Sequence, residues 1–75
     1  MENRNNTSLY PDYSGLDKKL AEKGKMKINL REDLNLSPGT VSKLGRGEFV
    51  NLKTLALICG YLDCAIEDVV EFKKR

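Results

Sequence analysis

Apolar positions recur along this chain at helical spacing in short blocks, each closed by a residue that ends a helix. Leu16 and Leu20 lie four apart and share a face with Ala21. They predict a first helix over 15–23, entered at Ser14 with Asp17 three residues on, and stopped by Gly24. Leu30 and Leu34 predict a second helix over 27–34, with Lys27, Arg31 and Glu32 outward. Asn35 follows where the chain must reverse, because Asn is the best non-glycine occupant of a left-handed conformation. Leu36 then plugs the turn into the core. Ser37 caps a third helix whose first residue, Pro38, has no N–H to leave unbonded. Its Val41 and Leu44 face inward, three apart, leaving Gly39, Thr40, Ser42 and Lys43 outside, and Gly45 and Gly47 end it. Asn51 caps a fourth helix through Leu62, with a buried stripe of Leu52, Leu55, Ala56, Ile58, Cys59 and Leu62 and a weak point at Gly60. Ile66, Val69 and Val70 predict a short fifth helix from near Ala65, with Glu67 and Asp68 in the first turn where the helix dipole favours acids.

The flanks are different in kind. Residues 1–8 are polar and Asn-rich, with nothing to bury. Pro11 breaks the segment 9–13, which reads as extended chain laid over the domain, with Tyr10 and Tyr13 covering the first helix rather than stacking on bases. The expected organisation is a flexible arm over 1–13, one domain over 14–72 and a charged tail over 73–75. A chain of 75 residues holds a single small core and no second domain. Such a core supplies about 3–5 kcal/mol of net stability. The fold class expected is all-α with five helices.

Charge adds little by itself. Thirteen Lys and Arg stand against 11 Asp and Glu, a net charge of +2, so nucleic-acid binding must rest on where the charges sit. No apolar run approaches the roughly 18 residues a membrane helix needs, and the N-terminus lacks a signal-peptide core. A cytoplasmic protein with no membrane partner is expected. Cys59 and Cys64 are too few for a disulfide scaffold, and without any His they cannot complete a Cys/His zinc site. They read as reduced thiols packed as small hydrophobes. No metal, cofactor or small-molecule ligand is expected. With no His, no metal cluster and no phosphate-binding loop, neither is catalysis.

The segment 26–48 remains as the bearer of chemistry: two short helices joined by a tight turn, the second with small and basic residues outward. This is the geometry in which one helix crosses a phosphate backbone and the next enters a major groove about 12 Å wide. Gly39 allows close approach, Thr40 and Ser42 offer hydroxyls, and Lys43 can reach a guanine edge or a phosphate. Arg46, between Gly45 and Gly47, is placed for backbone phosphate, as is Lys27 at the start of the second helix. The bland alternative is that each is an ordinary solvated side chain or, for the glycines, backbone punctuation.

The stretch Leu16 to Phe72 resembles the small Cro/cI-type, lambda repressor-like helix-turn-helix regulators of bacteria and phages. The resemblance is carried by Leu30-Arg31-Glu32, by Ser37-Pro38-Gly39-Thr40-Val41-Ser42-Lys43-Leu44-Gly45-Arg46-Gly47-Glu48, and by Ile58-Cys59-Gly60-Tyr61-Leu62-Asp63-Cys64. It implies a five-helix DNA-binding domain acting as a transcriptional repressor on double-stranded DNA, commonly as a homodimer on a two-fold operator. It places base contacts at Pro38, Gly39, Thr40 and Lys43, and phosphate contacts at Lys27, Ser42 and Arg46. Both cysteines become core features of the fourth helix and its following turn. Two positions depart from the family pattern. Met26 stands where the second helix is usually capped by Thr, and Ile28 where a polar residue is usual. Pro38 and Gly39 bring no hydrogen-bonding side chain, so modest specificity from Lys43, Thr40 and DNA shape is expected. The competing reading is a protein-interaction module of the same fold, antitoxin-like, using Ile28, Phe49, Val50 and Phe72. Phe49, Val50 and Phe72 also serve as candidate dimer contacts.

Overall fold

The helix ends predicted at Gly24, Asn35, Ser37–Pro38, Gly47 and Asn51 fall where those residues stand, whereas Gly45, also expected to end the third helix, lies inside it. The computed structural model describes residues 7–75. In chain order it contains strand β1 (Leu9–Asp12), helices α1 (Ser14–Glu22), α2 (Lys27–Leu34), α3 (Pro38–Arg46) and α4 (Leu52–Leu62), a 3-10 turn (Ile66–Asp68) and strand β2 (Glu71–Lys74). Asn35 is left-handed at φ 57°, ψ 37°, and turns α2 into α3. Ser37 caps α3 by accepting the Thr40 N–H at 3.1 Å, with Pro38 at the first helical position. Helices α1, α3 and α4 each close with a backbone bond reaching five residues back: Lys25 to Leu20 (2.8 Å), Glu48 to Lys43 (2.9 Å) and Cys64 to Cys59 (3.0 Å). The residue between in each case, Gly24, Gly47 or Asp63, has positive φ, which satisfies carbonyls that would otherwise be orphaned.

The core gathers Tyr13, Leu16, Leu20, Leu30, Leu36, Leu44, Ile58, Leu62 and Val69. Every helix contributes at least one side chain, so the angle between α2 and α3 is set by what Leu30, Leu36 and Leu44 pack against. Gly15 permits the closest approach: a Cβ there would lie 2.3 Å from the Asp68 carbonyl oxygen, and the next N–H, of Leu16, bonds the Val69 carbonyl at 3.1 Å. Met26 has no capping oxygen of its own, and Asn29 supplies one by accepting the Met26 N–H at 2.8 Å.

Four expectations need correction. The fold is mostly helical with four α-helices and a small two-stranded sheet, rather than all-α with five helices. The expected fifth helix is a single 3-10 turn, in which Asp68 folds back to accept the Ala65 N–H at 3.1 Å. Buried Val69 then anchors the chain, and β-branched Val70 leads into β2 instead of another turn. The flanks assigned to arm and tail meet: β1 and β2 pair antiparallel, Leu9 opposite Lys74 through Asp12 opposite Glu71. Residues 9–13 are thus built into the domain, with Tyr13 buried, while the part of the expected arm at 1–6 lies outside the described residues. Ser14 lies inside α1 rather than capping it, its N–H and hydroxyl both donating to Asp12 Oδ1 at 2.8 and 2.6 Å. Finally, the buried ridge of α4 is Thr54, Ile58 and Leu62, flanked by half-buried Leu55 and Cys59. Leu52 and Ala56 face outward, Leu52 with 71% of its surface exposed.

Candidate nucleic-acid interface

Helix α3 is held by its inner side. Leu44 is buried, and Val41 and Thr40 are half-buried, which turns Gly39, Ser42, Lys43 and Arg46 outward. These four stand at i, i+3, i+4 and i+7, the spacing of one helical face. Pro38 is exposed at the leading end of the same helix. The groove between α2 and α3 is lined by Ile28, Arg31, Glu32, Asn35, Leu36, Ser37 and Pro38. One open concavity thus leads from the second helix onto the tip of the third.

The predicted residues differ in what they are free to do. Lys43 is exposed, with no ion pair to any described residue. Ser42 is exposed as well. Thr40 is committed to the cap: its N–H donates to Ser37 Oγ, and the two hydroxyls share a hydrogen bond at 2.9 Å. Its methyl and partial exposure remain available, but its hydroxyl is occupied. Lys27 is held by Asp17 across the α1–α2 junction at 3.1 Å. Arg46 is held by Glu48 at 2.5 Å, an exposed pair in which each partner favours the other's charged form. The Glu48 carboxyl is pushed below its usual range, first by the Arg46 hydrogen bond and more weakly by the charge of Lys43, and the Arg46 guanidinium is pushed up. Two of the three predicted phosphate contacts, both of the cations among them, therefore carry a carboxylate with them.

One cation was missed in the assignment of contacts. Arg31, one turn beyond Lys27 on α2, is exposed in the groove beside Ser37 and Pro38 and makes no ion pair with a described residue. Its outward position was legible from the spacing of Leu30 and Leu34. Its nearness to the tip of α3 depends on the turn angle and was not. The apolar candidates also separate. Ile28, 47% exposed, lines the α2–α3 groove, whereas Phe49 and Phe72 meet on another part of the surface, ring centroids 6.1 Å apart and tilted by 55°. Val50 packs against the core. Both cysteines are free thiols and half-buried; burial, together with the neighbouring Cys64, pushes the Cys59 thiol up. No helix of the described residues is long and apolar enough to cross a membrane.

A family model, that of the Cro/C1-type HTH DNA-binding domain, matches residues 15–75. A solved structure, the crystal structure of transcriptional regulator VanUg (Form II), superimposes with a TM-score of 0.89 at 35% sequence identity, covering 100% of each chain. No curated protein matches the sequence.

Proposed function

Because this chain belongs to the Cro/C1-type helix-turn-helix DNA-binding domain family, we propose that it represses transcription by laying the outer face of α3 in the major groove of double-stranded DNA. The observation that carries this reading is the exposed Gly39–Ser42–Lys43–Arg46 face, with an unpaired lysine at its centre and an open groove behind its tip. Pro38 and Gly39 bring the backbone close to base edges, Lys43 reaches a guanine or phosphate, and Thr40 offers a methyl to a base. Ser42, Lys27 and Arg46 contact phosphates, joined by Arg31 from α2. Repression follows if the bound duplex overlaps a promoter. A transcription assay on such a template should show reduced output, and increased output would make the protein an activator.

The experiment that tests the reading is selection of bound sequences from a random DNA pool, followed by salt titration on the best duplex. The three cations among these phosphate contacts, Lys27, Arg31 and Arg46, give a slope of log affinity against log salt of about −3 per protomer. Lys43→Ala should cost about 1–3 kcal/mol of binding and relax preference at one base pair if Lys43 reads guanine. Failure to recover any sequence, with no binding to bulk duplex at low salt, contradicts it. A partner-binding module is the second reading, favoured by the exposed Phe49 and Phe72 pair. It predicts stoichiometric capture of a protein that survives charge reversal at Lys43 and Arg46.

A further inference from the structure

Helix α4 ends on two thiols. The turn that closes it sends the Cys64 N–H back to the Cys59 carbonyl at 3.0 Å, with left-handed Asp63 at φ 53° before it. In a helix end of this kind the side chains at the two bonded positions meet, usually as an apolar contact. Here the meeting pair is Cys59 and Cys64, in side-chain hydrogen-bond contact and both packed half-buried against the core. A disulfide needs close Cβ atoms and sulfurs about 2.05 Å apart. Thiols already in contact, on backbone positions fixed by a hydrogen bond, reach that distance by side-chain rotation. The surroundings are acidic. Asp63 is exposed beside Cys64, and Asp68 is held nearby by accepting the Ala65 N–H at 3.1 Å. The charges of Asp68 and Glu67 are both felt at the Cys59 thiol.

We infer that Cys59 and Cys64 are a modification site: they form a reversible intramolecular disulfide by exchange with small disulfides, and the neighbouring carboxylates favour cationic reagents over anionic ones. Cys64, flanked by exposed Asp63 and Ala65, meets the reagent first. Burial and the nearby carboxylates push the Cys59 thiol up, which makes it the slower of the two to attack an outside molecule. Exchange runs in two displacements. The Cys64 thiol loses its proton and attacks one sulfur of the reagent, whose S–S bond breaks and whose other half leaves as a thiolate. The Cys59 thiol then loses its proton and attacks the Cys64 sulfur, the mixed S–S bond breaks, and the second half leaves. Two cysteine thiols are thereby oxidised to one disulfide, the reagent is reduced to two thiols, and the two protons released end on the two leaving groups. The new bond closes the loop 59–64 and braces the passage from α4 into the 3-10 turn. That passage leads to the Asp68 carbonyl packed on Gly15 and the Val69 carbonyl that accepts the Leu16 N–H. A cross-link that fits the native fold restricts the unfolded chain, so the oxidised form is the more stable one.

Reaction of the reduced, folded chain with a charge series of small disulfides tests this: cationic cystamine, neutral hydroxyethyl disulfide and anionic oxidised glutathione. Alkylation of the remaining thiols and peptide mass mapping are expected to find Cys59 joined to Cys64 within one chain, with two reagent thiols released. The rate is expected to fall by about ten-fold from cystamine to oxidised glutathione, and the difference to shrink in high salt. Glu67→Gln, at an exposed position, should narrow it as well. Cys59→Ser should stop at a mixed disulfide on Cys64. The urea midpoint of the oxidised wild type should rise and should return on reduction with dithiothreitol. A wild-type chain that accumulates only mixed disulfides, or that links one chain to another, overturns the inference. So does a midpoint that fails to rise on oxidation, or equal rates with cystamine and oxidised glutathione. The wild-type measurements decide by themselves, whether or not Cys59→Ser folds. In each of these cases the DNA-binding reading stands unaffected, because the loop 59–64 lies outside α2 and α3.

Discussion

Single residues set the closest contacts in this small domain, and two glycines show how differently the same substitution reads. Gly15→Ala would push a methyl against the Asp68 carbonyl, a backbone atom that cannot swing aside. It should destabilise the fold by about 1–3 kcal/mol. Gly60→Ala meets nothing within 4 Å, in the interior of a helix. It should stabilise by about 0.5–1 kcal/mol, since alanine has less freedom to lose on folding. Urea melts of the two variants check both signs. The sequence marked Gly60 as a weak point in its helix and Gly15 only as a helix start; the carbonyl against Gly15 was not legible there. Asp12 carries the residue-scale pH dependence. The Ser14 hydroxyl and N–H, with Lys73 behind them, hold its carboxyl well below the usual carboxylate range. A folded-state pKa lowered in this way contributes stability that is complete above the unfolded-state value near 3.9 and lost as pH falls through the folded value. The urea midpoint of the wild type should therefore fall more steeply than that of Asp12→Asn on acidification below about pH 5. Parallel pH profiles would show that the contacts seen on Asp12 do not persist in solution.

Among the elements, those fixed by local chemistry were readable and those fixed by distant pairing were not. The α2–turn–α3 unit is specified by neighbours in sequence: left-handed Asn35, the Ser37 cap and Pro38 at the first helical position. Ser37→Ala should cost about 1 kcal/mol by leaving the Thr40 N–H without its acceptor. It should also free the Thr40 hydroxyl and fray the tip of the helix that we assign to the groove, which amide hydrogen exchange at 39–41 would register. The sheet is the opposite case. Its partners lie at opposite ends of the chain, and Glu71-Phe72-Lys73-Lys74 has the composition of a solvated tail. Only the pairing with Leu9–Asp12 gives its backbone somewhere to bond. The fifth helix failed for a related reason: Asp68 turns back on Ala65, and buried Val69 fixes the direction in which the chain leaves. In α4, the small Thr54 can be buried in line with Ile58 and Leu62, and that rotation leaves Leu52 outside where hydrophobicity alone placed it inside.

For the whole molecule, the near balance of charge is resolved by pairing. Lys27 and Arg46 each arrive with a carboxylate, while Lys43 and Arg31 face outward without one among the described residues. Removing one carboxylate should therefore strengthen DNA binding without touching the recognition helix. Glu48→Gln releases the Arg46 guanidinium before it meets the duplex, and fluorescence anisotropy should register tighter binding at low salt. Unchanged affinity would mean that Glu48 does not compete with phosphate for Arg46. The candidate contacts Ser42 and Lys43 were visible in the sequence because the period of α3 is set by Val41 and Leu44, whereas the pairing of Lys27 with Asp17 depends on how α1 and α2 meet. The most direct test of the central claim, that the outer face of α3 meets the duplex, is amide chemical-shift mapping on titration with the selected DNA. The account predicts the largest shifts at 38–46, with a second group around Lys27 and Arg31. Shifts concentrated on α4 and around Phe72, with α3 unmoved, would contradict it.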